Sequence, residues 1–225
     1  LRNLLVTLGF VLFATHANAL GVSDLSNKET IGGLKEALTQ GVDKAVSTLG
    51  AKDGFLGNSE VKIPLPSSLQ KAQKVMKMMG MGKQSDELVL KMNRAAEAAV
   101  PEAKTLLVDS IKKMSMADAK AILTGPSDAA TQYFKKTTSD QMSAKFLPIV
   151  EKATANVQLA DTYNKYAEEG RKLGLVEKED ANINQYVTKK ALDGLYLMMA
   201  KEEALIRQDP AGQASGLLKR VFGAL

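Results

Sequence analysis

The apolar residues of this chain fall in steps of three and four. Between Thr30 and Leu49 they stand at Ile31, Leu34, Leu38, Val42, Ala45 and Leu49, which places all six on one stripe of a helix. From Ile149 to Ala167 the rhythm returns at Val150, Ala153, Val157, Ala160 and Ala167, with Tyr163 or Asn164 filling the remaining position. Strand-like alternation occurs in one short stretch, where Val61, Ile63 and Leu65 alternate with Lys62, Pro64 and Pro66. Proline has no N–H to give to a ladder, and two of them two residues apart deny this stretch a pairing partner. It reads as an extended strap laid across a bundle with its apolar side chains inward. The class is therefore all-α: a single multi-helix, bundle-like domain with one short extended Pro-containing strap.

Local punctuation sets the expected helix limits. Gly50 closes the first helix, and Asp53-Gly54 with Gly57-Asn58 mark a turn-rich loop carrying Phe55 and Leu56. Ser67 or Ser68 can cap a helix running to about Met79 and broken at Gly80 and Gly82. The next helix spans about Ser85 to Val100. Pro101 opens its successor at the favoured first position, and that helix ends near Met114. Ser115 with Asp118 has capping-box spacing ahead of Met116 to Leu123. Thr124-Gly125-Pro126-Ser127-Asp128 reads as stop, turn and cap for a helix carrying Tyr133 and Phe134. Thr138 with Gln141 gives a second capping box, and Pro148 is expected to kink the helix or restart it. Gly170 and Gly174 end that segment, and Glu177 to Asp180 forms a charged connector. The longest helix is expected from Asn182 to Arg207, before Asp209-Pro210. Gly212 to Leu225 reads as a short terminal helix with Leu217, Leu218, Val221 and Phe222 on one side.

The beginning of the chain has a different character. Leu1-Arg2-Asn3, an apolar stretch from Leu4 to Ala14, and Thr15-His16-Ala17-Asn18-Ala19 have the layout of a secretory signal peptide. A membrane span needs roughly 20 apolar residues. Cleavage after Ala19 is expected, leaving residues 20–225 as the helical domain, with the bacterial periplasm as destination. No cysteine follows the cleavage site, which excludes a lipid-anchored lipoprotein.

Composition then removes much of the usual chemistry. The chain has no cysteine, no tryptophan and one histidine, His16, which leaves with the signal. The commonest general base, the thiol nucleophile and the usual zinc ligands are thus missing. No Walker loop, dinucleotide fingerprint or Gly-x-Ser-x-Gly occurs, and no dense acidic loop suggests a metal, so neither cofactor nor metal is expected. The net charge of +5 is too mild to imply nucleic acid. Its excess gathers between Glu60 and Lys83, where lysines at 62, 71, 74, 77 and 83 face one acid.

Several strings are jointly specific. They are Gly33-Leu-Lys-Glu-Ala-Leu-Thr-Gln-Gly41, Asp53-Gly-Phe-Leu-Gly57, Val61-Lys-Ile-Pro-Leu-Pro66 and Met92-Asn-Arg-Ala-Ala-Glu-Ala-Ala-Val-Pro-Glu102. Asp118-Ala-Lys-Ala-Ile-Leu-Thr-Gly125, Ala129-Ala-Thr-Gln-Tyr-Phe134 and Lys190-Ala-Leu-Asp-Gly-Leu195 complete the set. With them the chain closely resembles a bacterial family known as domain of unknown function forty-one ninety-seven, over nearly the whole mature length. The resemblance implies an exported helical protein of Gram-negative bacteria and carries no catalytic residues to transfer.

Four groups of residues are candidates for a site. Lys71, Lys74 and Lys77 share one helix face, with Ala72, Val75, Met76 and Met79 as adaptable apolar surface. Such a helix can meet a partner or an anionic membrane surface, or simply pack its methionines in the core and leave its lysines in water. Lys91, Arg94 and Glu97 neighbour one another among small alanines, and the Arg94–Glu97 pair can bind a ligand carboxylate or hold two helices together. The Thr124–Asp128 turn precedes a helix N-terminus, but Asp128 puts a negative charge where an anion would sit, so capping is the expected role. Tyr163, Tyr166, Tyr186 and Tyr196 can line a polar-mouthed pocket or sit at the bundle's edge with wet hydroxyls. Ser115 near Lys113 has the elements of a nucleophile pair, though Ser115 is more simply a cap.

The leading expectation is a binding protein that engages a partner protein or a small apolar ligand through methionine-containing surfaces between helices. A carboxylate-dependent hydrolase of envelope polymers is the alternative. It is weakened by a mature chain with few aromatics and no tryptophan to line a sugar cleft. A peripheral membrane-surface protein, using Lys71–Lys83 and Leu217–Phe222, is the third reading.

Overall fold

The two longest helices make the frame of the structure, a computed structural model describing residues 27–67, 69–70, 78, 82–172 and 180–209. The helices are α1 (Asn27–Gly50), α2 (Gly82–Ala99), α3 (Ala103–Lys113), α4 (Met116–Thr124), α5 (Ala129–Thr154), α6 (Gln158–Lys172) and α7 (Ile183–Gln208). A 3-10 turn, Val100–Glu102, joins α2 to α3. Among the described residues no strand forms, and the class is all-α as expected. The expected signal segment, residues 71–77, 79 and 80 of the helix expected to run from Ser67 or Ser68 to about Met79, and the Gly212–Leu225 helix lie outside the described residues.

Helices α5 and α7, each 26 residues long, run antiparallel. Ala130 and Thr131 at the start of α5 meet Glu203 near the end of α7. Ser139 meets Tyr196 midway, and Thr154 meets Asn184 at the other end. Helix α2 packs against both, and α1 packs against α7, α3 and α4. The reason is legible in each stripe. Leu34, Leu38, Val42, Ala45 and Leu49 of α1 are buried, and Leu88, Met92, Ala95, Ala96 and Ala99 of α2 are wholly so. Alanines at three of those α2 positions keep the contact surface shallow and let the helices approach closely. On α5 the stripe is Phe134, Met142, Phe146 and Val150. Full burial of each such side chain stabilises by about 1.5–3 kcal/mol.

The strap forms with its expected apolar face inward. Val61, Ile63 and Leu65 are buried and Lys62 and Pro64 point out, but Pro66, expected to alternate outward with them, is buried as well. Its backbone finds side chains in place of a neighbouring strand. Asn93 of α2 accepts from Ile63 N at 2.8 Å and donates back to Ile63 O at 2.9 Å. Tyr186 of α7 donates its hydroxyl to Pro64 O at 3.1 Å.

Local caps hold in several places. Ser115 and Asp118 form the capping box of α4, and those Ser115 hydrogen bonds hold the Asp118 carboxyl below its ordinary range. Asn182 caps α7, accepting from Asn184 N and Gln185 N. Elsewhere the structure corrects the sequence reading. Pro101 lies in the 3-10 turn rather than opening α3. No helix begins at Thr138: its hydroxyl donates to Phe134 O at 2.6 Å, within an unbroken α5. Pro148 also sits inside α5. The roughly 3 kcal/mol that an interior proline costs is offset by the burial of Phe146 and Val150 on the opposite side. The break comes instead at residues 155–157, where Val157 N turns back to Thr154 O at 3.0 Å and the Val157 side chain is buried.

Asp128 makes no side-chain cap on α5; its carboxylate accepts from Gln132 Nε2. The α5 N-terminus is occupied by an anion after all, supplied by α7. Glu203, 7% exposed, accepts from Ala130 N, Thr131 N and Thr131 Oγ1, each at 3.0 Å.

Candidate functional site

The seam between α5 and α7 opens on one side into a groove. Phe134, Thr138, Met142 and Phe146 are buried, and the next residue after each, Lys135, Ser139, Ser143 and Leu147, lines the groove. One residue turns a helix by about 100°, so the groove wall is the flank of the core stripe. Asp140 joins it from α5. The other wall is Gln185, Thr188, Lys189, Leu192, Asp193 and Tyr196 of α7. The cavity is about 390 Å³, within the range of small-molecule sites. Clefts lined by α1, α5 and α7, the smaller one also by Ile122 of α4, hold about 20 and 10 Å³, room for about one water each.

Hydrogen bonds fix part of this wall. Ser139 Oγ donates to Lys135 O at 2.5 Å, so the Tyr196 hydroxyl, 2.9 Å from Ser139 Oγ, is the donor in that pair. Lys189 Nζ lies 3.0 Å from Asp193 Oδ2. Thr188 is 3% exposed, and its Oγ1 is the buried side-chain oxygen left without a partner among the described residues.

The Arg94–Glu97 pair forms, and the structure assigns it to the chain's own loop rather than to a second helix. Glu97, 5% exposed, accepts from Phe55 N and Leu56 N at 3.1 Å each through Oε1, and from Arg94 Nη1 at 2.5 Å through Oε2. Arg94 Nη2 continues to Asp53 Oδ1 at 2.7 Å. Asp53 has φ 68°, the left-handed region, and a Cβ at Gly54 would overlap the carbonyl oxygens of Thr48 and Leu49. The loop is thereby folded tightly over the end of α1 and delivers Phe55 to the core, fully buried. The ring sits against Gly194 of α7, where a Cβ would stand 2.8 Å from Phe55 Cε1.

A family model described as "Protein of unknown function (DUF4197)" matches residues 24–223. The chain belongs to this family. No curated protein and no solved structure matches it. Within this DUF4197 chain, four of the family-like strings prove to be parts of one clasp. Asp53–Gly57 is the loop, Val61–Pro66 the strap, Met92–Glu102 the helix that holds both, and Lys190–Leu195 the notch for Phe55.

The other candidates of the DUF4197 chain do not gather at one place. Lys71, Lys74, Met76, Lys77 and Met79 lie outside the described residues, as does Leu217–Phe222. Lys91 is exposed. Tyr163 is buried and donates to Asp180 O at 2.5 Å. Tyr186 is held by the strap and Tyr196 by the groove, while Met92, Met142 and Met199 are core residues. Among the described residues no cluster of metal-ligating side chains occurs, and no helix is long and apolar enough to cross a membrane.

Sequence reasoning finds Tyr196 and misses the rest of the groove. A polar 135/139/143 spacing is there to be seen beside the apolar 134/138/142/146 stripe, but its α7 wall is known only once the two helices are paired.

The strap's tie to α7 has a measurable titration. Burial, with Asp180 and then Tyr163 nearby, pushes the Tyr186 phenol from 10.0 up to about 12. The folded state thus keeps this proton where the unfolded chain loses it. Its contribution to stability is complete below pH 10 and lost as pH rises from 10 toward 12. An ultraviolet titration is expected to show a late tyrosine ionisation that Tyr186→Phe removes, while the variant loses about 1 kcal/mol with the Pro64 hydrogen bond. A late ionisation that persists unchanged in Tyr186→Phe, or loss of the Tyr186 proton already near pH 10, would contradict this.

Proposed function

We propose that this DUF4197 member is an exported binding protein, working in the periplasm after removal of residues 1–19, whose α5–α7 groove receives a polar ligand or the polar side chain of a partner. The observation that carries the reading is the groove itself: 390 Å³ of open space flanked by side chains on two rigid helices. Sites on helices hold their geometry better than sites on loops. The clefts beside α1 are water-sized, which favours recognition at this surface over an apolar ligand held inside the bundle. A hydrolase acting through paired carboxylates is less well served. Asp140 and Asp193 share the groove but both are exposed, in an open site rather than an enclosed cleft.

Native mass spectrometry of the full chain, expressed with its leader and recovered from the periplasm, tests both parts. The expected polypeptide begins at Leu20 and carries a bound molecule that is lost in Ser143→Arg, which fills the groove from its half-buried wall. Recovery with residues 1–19 attached sinks the export reading. Bound mass absent from both proteins, or retained in the variant, sinks the groove.

A further inference from the structure

We propose that the α5–α7 groove is a subsite for one neutral, hydroxyl-rich unit, a monosaccharide or similar polyol, and that Thr188 is the residue kept for it. This rests on the proposed binding role and adds the chemical class of the ligand.

The buried threonines of α5 and α7 differ in how their hydroxyls are bonded. Thr138 and Thr154 donate to their i−4 carbonyls, Phe134 O at 2.6 Å and Val150 O at 3.0 Å, and Thr131 donates to Glu203. Thr188 is buried as deeply as these and has no partner among the described residues. A buried hydroxyl in a native helix is normally satisfied in this way, and one left unsatisfied is costly. Valine has the same shape without that cost. The position therefore calls for something beyond packing. Thr188 Oγ1 is covered as it stands, and threonine has two helical χ1 wells, so a turn of χ1 with the backbone fixed is the movement that presents the hydroxyl to a ligand.

The rest of the wall sets the ligand class. A hydroxyl donates and accepts at one oxygen, matching what Thr188 leaves open. A carboxylate only accepts and an ammonium only donates. Ser143 and the Gln185 amide offer the same two-way bonding, while Tyr196, whose proton goes to Ser139, adds an accepting oxygen. The groove's charges balance: Lys135 and Lys189 against Asp140 and Asp193, with the second lysine already beside Asp193. A neutral ligand fits that balance better than an ion. Leu147 and Leu192 supply apolar surface for the C–H face of a ring. The chain has no tryptophan, so a ring here is held by its edge through hydrogen bonds.

The test is a titration of the full mature chain with N-acetylglucosamine, glucose and tetra-alanine, read by amide and methyl chemical shifts. It is paired with thermal unfolding of wild type, Thr188→Val and Thr188→Ser. The expected result is saturable shifts confined to α5 and α7 on adding saccharide. Thr188→Val should weaken binding at least tenfold while its unliganded Tm stays the same or rises, and Thr188→Ser should keep most of the affinity. Binding of the peptide but neither saccharide overturns the ligand class and leaves the groove a binding site. No response to any probe, an unchanged affinity in Thr188→Val, or a lowered Tm in that variant each overturns the role of Thr188. The last outcome would mean that its hydroxyl is bonded within the fold or to a resident water.

Discussion

Glu203→Ala is expected to destabilise the protein by about 3–5 kcal/mol, the range for breaking a buried ion pair by removing one partner. The carboxylate is buried and performs two tasks at once. It accepts from the first free amides of α5, Ala130 N and Thr131 N, which have no intrahelical acceptor. It also neutralises Arg207, whose Nη2 lies 2.9 Å from Glu203 Oε1 and whose side chain is 15% exposed. Alanine would leave two amides, the Thr131 hydroxyl and a guanidinium without the carboxylate, with Ile122 O the acceptor left to Arg207 among the described residues. Glutamine should fall between, because it keeps an accepting oxygen but turns an NH2 toward groups that themselves donate. Urea unfolding of the three proteins measures this. A loss below about 1 kcal/mol in Glu203→Ala would show that water replaces the carboxylate without penalty.

Glu97→Ala is the second large effect, at about 3 kcal/mol or more. It removes the acceptor of Phe55 N and Leu56 N and leaves Arg94 with Asp53 as its partner among the described residues. Its signature should differ from that of Glu203→Ala. The damage falls on one loop, so amide exchange is expected to rise first at residues 53–57 and then along the strap, before the helices open. Glu97→Asp should recover little, since a side chain one methylene shorter cannot span from α2 to both loop amides. If exchange in Glu97→Ala rises evenly over the chain, the carboxylate supports the bundle as a whole and not the loop.

These two carboxylates also show where sequence reasoning stops. The α1 stripe, the Ser115–Asp118 box and the inward face of the strap are all decided by residues within one or two turns of each other. They are legible for that reason. Helix α5 is not. Its N-terminus has an aspartate in the right place, yet the amides are served from Glu203, 72 and 73 positions away. Thr138 and Pro148 carry local signals for a boundary that long-range burial overrides. For the site, the Arg94–Glu97 pair can be named from helix spacing, but its receiver cannot, because Phe55 and Leu56 lie 42 and 41 residues earlier. The groove needs two stripes to be set side by side. Each stripe alone looks like the ordinary flank of an amphipathic helix.

The notch at Gly194 limits how such a molecule can be hardened. Scored by helix propensity alone, alanine in the middle of α7 gains about 1 kcal/mol over glycine, and a helix-by-helix optimisation would choose it. The added methyl has nowhere to go except into a fully buried ring, and overpacking of that kind costs about 1–3 kcal/mol. A lineage or a designer seeking heat resistance must therefore work on the outward faces and spare this one backbone gap. Here a residue with no side chain determines where another chain segment is allowed to land.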